Sequence, residues 1–129
     1  MAKPAWLFNQ SAVIPYLEKN GVVEVVVVSS REKNGWVMLK GVIEKSMTPE
    51  DSAAKEALEE AGVIGNVSRD CVGEYSYKKW CGICNVKVYP MEVDTVLESW
   101  QEDSTRERRI VELNEAVNLV ETRNQGRFA

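Results

Sequence analysis

Three glutamates near the middle of the chain are the residues best placed to do chemistry. Glu56, Glu59 and Glu60 are spaced i, i+3 and i+4, so on an α-helix they share one stripe. Carboxylates crowded on one stripe repel each other, and a hard divalent cation such as Mg²⁺ or Mn²⁺ relieves that repulsion and suits phosphate chemistry. Taken alone, the same stripe also fits a solvated acidic helix face, which is what most glutamate-rich stripes are.

The helix that must position these glutamates has clear start and stop signals. Thr48 is a suitable N-cap, Pro49 fits the first helical position, and two acids follow at the positive end of the helix dipole. Gly62 is a natural C-terminal cap, so the helix is predicted to run to about residue 61. The side of the helix opposite the glutamates is formed by Ala54, Ala57, Leu58 and Ala61.

Strands are predicted on both sides of this helix. Residues 11–17 and 22–29 are rich in β-formers and flank Lys19-Asn20-Gly21, which predicts a hairpin. The other predicted elements are strands over 36–39, 66–80 and 83–93 and a helix over 113–122, with Ala116, Val117, Leu119 and Val120 as its apolar face. A mixed sheet with two helices is an α/β or α+β domain, and no repeat or linker divides residues 1–129.

Composition narrows the range of functions. The chain has 129 residues, 44% of them hydrophobic and 28% charged, as in one globular domain. A net charge of −4 argues against non-specific electrostatic binding to nucleic acid polymers or anionic membranes. With no histidine, Ser-His and Cys-His catalysis and His-ligated zinc are excluded.

Cysteine content and hydropathy indicate a compartment. Three cysteines cannot all pair, which fits a reducing compartment, and we expect the cytoplasm. The longest apolar run, residues 25–28, is far too short to span a bilayer. The first eight residues lack a long apolar stretch, so no signal peptide is expected.

Residues 41–63 resemble the Nudix box, a loop–helix–loop signature of a hydrolase family. The positions that match its pattern are Gly41, Glu56, Glu59, Glu60, Gly62 and Val63. Two positions depart from it, because Met47 stands where the family has a glutamate and Lys55 where it has an arginine. Lys55 keeps the positive charge without the planar fork. Met47 removes a carboxylate that usually lies outside the metal shell, so an altered rate or stability is expected.

The resemblance extends over residues 10–122. Residues 29–31, 36–41 and 96–109 are similar to segments of the MutT-like diphosphoinositol polyphosphate phosphohydrolases and their bacterial relatives. The subgroup's N-terminal basic residues are replaced here by Asn9, Gln10 and Ser11. That replacement weakens the case for a highly phosphorylated ligand.

The resemblance implies a Nudix α/β/α sandwich and a site for a diphosphate. Members hydrolyse a nucleoside diphosphate, or another diphosphate, linked to a further moiety. Glu56, Glu59 and Glu60 would be ligands of Mg²⁺, with Mn²⁺ as an alternative, and either Glu56 or Glu59 would take the proton of the attacking water. Gly41 would let the backbone approach the pyrophosphate. The implied phosphate contacts are Ser29, Arg31, Lys40, Gly41 and Arg106.

Several alternatives stay open at this stage. The chain could be a catalytically retired Nudix domain that binds a nucleotide or a protein. Glu102 and Asp103 could supply another carboxylate or form a solvated turn, and Tyr77 or Trp80 could stack on a base or belong to the core. Cys81-Gly82-Ile83-Cys84 lacks a second ligand pair and is interpreted as ordinary strand thiols. The expected partner is a small diphosphate-containing molecule.

Overall fold

A mixed sheet lies between two helices in the computed structural model, which describes residues 7–79 and 82–128. The strands are β1 (Leu7–Lys19), β2 (Val22–Ser29), β3 (Trp36–Val37), β4 (Leu39–Val42), β5 (Val63–Val67), β6 (Gly73–Lys79), β7 (Gly82–Val96) and β8 (Arg108–Glu112). The helices are α1 (Pro49–Glu56), which continues into a π-helical segment (Ala57–Ala61), and α2 (Leu113–Phe128). This arrangement confirms the predicted fold class of a mixed sheet with two helices.

Strand β1 organises the sheet. It runs parallel to β7 over most of its length, and its other edge pairs antiparallel with β4 and then with β2. In the β4 pairing Gly41 lies opposite Ser11. Gly41, which lies shortly before the loop that leads into α1, is therefore held next to a central strand of the sheet.

The predicted hairpin is confirmed. Asn20 and Gly21 have φ angles of 53° and 80°, the left-handed values that a two-residue hairpin turn of this type requires at both positions. Strand β1 begins at Leu7, earlier than the predicted residue 11, because its parallel partner β7 extends the ladder there. The short strand predicted over 36–39 is interrupted at Met38 and continues as β4.

The prediction of one strand over 66–80 is wrong within the described residues. Strand β5 ends at Val67, and β6 starts only at Gly73. Between them the Ser68 hydroxyl accepts a hydrogen bond from the Asp70 amide at 3.1 Å, a local turn that breaks the strand. Both strands pair with β7, which is longer than predicted. Trp80 and Cys81 lie outside the described residues.

The helix bounds agree with the prediction at three of four ends. Thr48 caps α1 by accepting from the Asp51 amide at 3.1 Å, and Gly62 terminates the π-helical segment with a φ of 65°. Helix α2 starts at Leu113 as predicted but extends to Phe128. The regular helix predicted to residue 61 is wrong in its last turn, which is π-helical.

Each helix covers one side of the sheet. Beneath α1 and the π-helical segment, Ala53, Ala57 and Ala61 lie against sheet residues such as Val28 and Leu39. Beneath α2, the second core cluster contains Val25, Val27, Val111 and Ala116. No helix within the described residues is long and apolar enough to cross a membrane.

Two predicted core positions face outward instead. Leu58 is 42% exposed and Val117 is 45% exposed. In α1 and the π-helical segment, the residues that pack on the sheet are Ala53, Ala57 and Ala61, spaced four apart. Glu60, next to Ala61, is also buried. A charged residue buried on this inward face is unusual, which makes Glu60 a candidate functional residue.

Candidate active site

The two carboxyl groups of Glu56 and Glu60 meet beside the sheet. Glu60 is 6% exposed, and its Oε1 accepts a hydrogen bond from the Lys40 amide at 3.2 Å. Glu56, one turn earlier, is hydrogen-bonded to Glu60. The predicted convergence of Glu56 with Glu60 is therefore present in the structure.

Burial makes negative charge unfavourable at this pair. The pKa of Glu60 is raised to about 8, chiefly by burial and also by the neighbouring Glu56, while the Arg106 guanidinium opposes the shift. Burial also raises the pKa of Glu56. Two carboxyl groups in this setting retain a proton between them unless a cation supplies compensating charge.

Gly41 lies directly against the Glu56 carboxylate. A Cβ atom at position 41 would overlap this carboxylate, with Glu56 Oε2 at 2.7 Å. The φ of Gly41 is not positive, so an L-residue is compatible with the backbone here. What position 41 requires is the absence of a side chain next to Glu56.

Glu59 forms an ion pair with Lys55. The Lys55 ammonium lies 3.0 Å from Glu59 Oε2 and 3.2 Å from Glu44 Oε1, and both glutamates raise the pKa of Lys55. Lysine at the family's arginine position thus binds two carboxylates in different directions, as a compact ammonium can. Glu59 remains a predicted ligand rather than an observed member of the cluster.

The Glu56–Glu60 pair fits a hard divalent cation. Among the described residues no three acidic or cysteine side chains are arranged to hold a metal ion together. A buried Glu60 carboxyl group and a half-buried Glu56 carboxyl group next to a glycine nevertheless form the oxygen-rich setting that Mg²⁺ and Mn²⁺ prefer. Glu56 and Glu60 would hold the ion, with Glu59 as a further predicted ligand.

Arg106 connects this pair with the end of β2. Its Nε lies 2.7 Å from Glu102 Oε1, its Nη1 donates to the Ser29 carbonyl at 2.9 Å, and its Nη2 is 3.7 Å from Glu60 Oε2. Arg31 is 66% exposed and lies 3.5 Å from Glu102 Oε2. The Ser29 hydroxyl accepts from the Glu107 amide at 2.9 Å, so the predicted phosphate residues 29, 31 and 106 lie together around Glu102.

The sequence predicts the same role, phosphate contact, for Arg31 and Arg106, but their contacts predict different effects on stability. Arg106→Ala should lower the free energy of unfolding by about 3 kcal/mol, because it removes one partner of a buried ionic network. Arg31→Ala should change it by less than about 1 kcal/mol, as an exposed ion pair contributes little. Urea unfolding of both variants at neutral pH measures the difference. Equal values would mean that the Arg106 network contributes nothing beyond a surface ion pair.

Lys40, whose amide is bound by Glu60, contacts Tyr77 through its side chain. The Lys40 ammonium lies 4.1 Å from the centre of the Tyr77 ring, and the Tyr77 hydroxyl donates to Gln10 Oε1 at 2.8 Å. Burial raises the pKa of Tyr77 to about 12. Cys84 is buried and unpaired with any described cysteine, consistent with an ordinary strand thiol.

Two site residues were missed by sequence reasoning. Arg108 donates from Nη1 to the Ala61 carbonyl at 2.7 Å, at the end of the glutamate-bearing segment. Glu102 was interpreted as a further acidic ligand or part of a solvated turn, whereas here it binds Arg31 and Arg106. The alternating arginines at 106 and 108 were a usable signal, because alternate residues entering a strand share a face.

Comparisons with known proteins agree on one family. A family model described as the NUDIX domain matches residues 8–128. The Arabidopsis thaliana protein named Nudix hydrolase 16, mitochondrial, is 34% identical over 78% of this chain and 59% of its own length. Diphosphoinositol polyphosphate phosphohydrolase 2 from Rattus norvegicus is 29% identical over 75% of this chain and 54% of its own length. The chain therefore spans less than two thirds of these curated relatives.

The structural comparison shows the same fold. The crystal structure of C. elegans Ap4A hydrolase superposes with a TM-score of 0.72, and the match covers 93% of this chain and 91% of that one. The two sequences are 18% identical over the match. Likeness at that identity concerns the backbone arrangement of sheet and helices.

Proposed function

The chain belongs to the Nudix domain family, and from that premise we propose that it hydrolyses a phosphoanhydride bond in a diphosphate-containing metabolite. The proposal includes a required divalent cation, Mg²⁺ or Mn²⁺. The observation that carries it is the pair formed by the buried Glu60 and the half-buried Glu56 on the helical segment of the Nudix box, with Gly41 packed against the Glu56 carboxylate.

Each residue of the site has a role in this reaction. The cation, when bound, would neutralise phosphate oxygens and make a water molecule more acidic. Glu56 and Glu60 would hold it, with Glu59 as a further ligand. Either Glu56 or Glu59 would accept the proton of the attacking water, and both assignments remain open. Gly41 keeps the Glu56 carboxylate in reach by leaving its surroundings clear.

Positively charged residues near the glutamates support a phosphate-binding role. The Lys40 amide is bound by Glu60, Arg106 Nη2 lies 3.7 Å from Glu60 Oε2, and Arg31 shares Glu102 with Arg106. Arginine suits bidentate phosphate contacts, and Arg31, being exposed with a single long ion pair, is the better placed of the two to exchange Glu102 for a phosphate. Ser29 stays a proposed contact that would have to release the Glu107 amide.

The substrate class within this proposal is a dinucleoside polyphosphate or a diphosphoinositol-type compound. The C. elegans structure is named as an Ap4A hydrolase and the rat relative as a diphosphoinositol polyphosphate phosphohydrolase. Gln10, engaged with Tyr77, stands where the inositol-phosphate subgroup has a basic residue. The neutral side chain favours the less highly charged of the two classes, a dinucleoside polyphosphate.

A second candidate is a retired domain that binds a nucleotide or protein without cleaving it. The observation in its favour is the Lys55 contact, which occupies the Glu59 carboxylate with an ion pair. Only the first function predicts turnover, so a hydrolysis assay distinguishes the two.

The proposed compartment is the cytoplasm, although the names of several relatives are mitochondrial or chloroplastic.

Metal binding should stabilise the fold measurably. At about 100 times its dissociation constant, Mg²⁺ should raise the free energy of unfolding by roughly 2.7 kcal/mol, because it binds the folded chain and not the unfolded one. Thermal melts in Mg²⁺ and in EDTA measure this, with a sodium salt of equal ionic strength as the control. A melting temperature that is the same in all three solutions would count against the site.

A further inference from the structure

Three carbonyl groups at the end of the glutamate-bearing segment are bound by residues from a different part of the chain. The Glu59 carbonyl accepts from the Glu102 amide at 3.1 Å, and the Gly62 carbonyl accepts from the Leu97 amide at 2.8 Å. Between them, the Ala61 carbonyl accepts from Arg108 Nη1 at 2.7 Å. Carbonyls at a helix C-terminus have no partner within the helix, so these external donors determine how this segment ends.

Arg108 is held in place by Trp100. Its guanidinium lies 4.2 Å from the centre of the Trp100 ring, a stacking geometry that orients the planar fork. The indole in turn packs against Gly62, where an added Cβ would come within 2.7 Å of Trp100 Cβ. Gly62 therefore has two roles: it terminates the helical segment in a left-handed conformation, and its missing side chain leaves space for Trp100.

We propose that Arg108, stacked on Trp100, is a positioning residue that holds the Glu60 carboxyl at the metal site. Ala61 follows Glu60 directly. A displacement of the Ala61 carbonyl is therefore transmitted through the Ala61 backbone to Glu60 and its carboxyl group. Metal ligands must be held within about 0.5 Å of their productive positions. The inference rests on the proposed metal site for its consequence, but the placement of Glu60 can be tested without metal.

Arg109 provides a matched control on the same strand. Its guanidinium lies 5.4 Å from the centre of the Trp36 ring, and its Nη2 is 2.9 Å from Glu115 Oε1. Both arginines thus stack on a tryptophan and make one close polar contact. Only Arg108 reaches the segment that carries Glu60, so a specific role should distinguish the two.

The first measurement is amide hydrogen exchange of Lys40, whose N–H is bound by Glu60 Oε1. In the metal-free protein, Arg108→Met should accelerate this exchange about tenfold as the Glu60 carboxyl leaves its place. Arg109→Met should leave it unchanged. The readout involves neither metal nor activity, so it reports on the position of Glu60 alone.

The second measurement is Mn²⁺ affinity, followed by the paramagnetic signal of the free ion. Arg108→Met should weaken binding about 10- to 100-fold, the usual effect of losing a group that orients a ligand, and Arg109→Met should not. If Arg108→Met fails to fold, Arg108→Lys and Arg109→Lys replace the pair in both measurements, with an expected difference of at least about threefold.

The outcomes separate this inference from the proposed function. Equal effects of the Arg108 and Arg109 variants on Lys40 exchange would overturn the positioning role, even if Mn²⁺ binds. Absence of Mn²⁺ binding by the wild-type protein would instead overturn the proposed metal site, and Lys40 exchange would then decide the role of Arg108 alone.

Discussion

Glu60→Gln is expected to lower turnover at least about 100-fold, the scale of losing one strong electrostatic stabiliser at a reacting phosphate. Glutamine keeps the size of the side chain and can still accept from the Lys40 amide, but it removes a negative charge from the site. Without metal, the melting temperature should stay level or rise, because the crowding of two buried carboxyl groups is relieved. Steady-state kinetics and melts in EDTA measure the two effects.

Glu50→Gln is the matched control for this variant. Glu50 lies in the first turn of the same helix, away from the carboxyl pair, so its substitution should leave turnover within about twofold of wild type. Near-full activity of Glu60→Gln would mean that the buried pair takes no part in catalysis. A fall in both variants alike would point to a general effect on the helix.

Gly41→Ala is the second variant with a large expected effect. Its Cβ would overlap the Glu56 carboxylate and push it away from Glu60, so turnover should fall about 100-fold. The displaced group is the end of a flexible side chain, and the backbone at position 41 accepts alanine. The free energy of unfolding should therefore change by less than about 1 kcal/mol.

Gly73→Ala controls for adding a methyl group to a strand glycine. A Cβ at position 73 would meet no atom within 4 Å, so activity and urea unfolding should match wild type. If Gly41→Ala retains wild-type activity, the close approach of Gly41 to Glu56 has no functional consequence. If it unfolds the protein, the effect is one of packing rather than of ligand displacement.

Local sequence signals predicted the parts of the fold that local chemistry determines. The N-cap at Thr48, the glycine stop at residue 62 and the Asn20-Gly21 turn are each specified by side chains within a few residues, and each is confirmed. The break between β5 and β6 was not foreseen. It combines the local turn at Ser68 and Asp70 with the pairing of both strands to β7, and the segment itself does not specify that pairing.

For the candidate site, too, the sequence predicted some features and not others. The family resemblance of residues 41–63 is confirmed, and helical spacing correctly placed Glu56 next to Glu60. Spacing could not show that Lys55 would bind Glu59, nor that the last turn would be π-helical. The alternation of Arg106 and Arg108 was visible in the sequence, but the partner of Arg108, the Ala61 carbonyl, is a backbone group that the sequence does not specify.

The most direct test of the central claim is phosphoanhydride hydrolysis by the wild-type protein and Glu60→Gln. A panel of dinucleoside polyphosphates, ADP-ribose and diphosphoinositol compounds should be incubated with Mg²⁺ or with EDTA, and the products quantified by ³¹P NMR. We predict that the wild type cleaves at least one compound only with Mg²⁺, and that Glu60→Gln cleaves it at least about 100-fold more slowly. Cleavage that is equal in EDTA, equal in the variant, or absent for every compound would contradict the account.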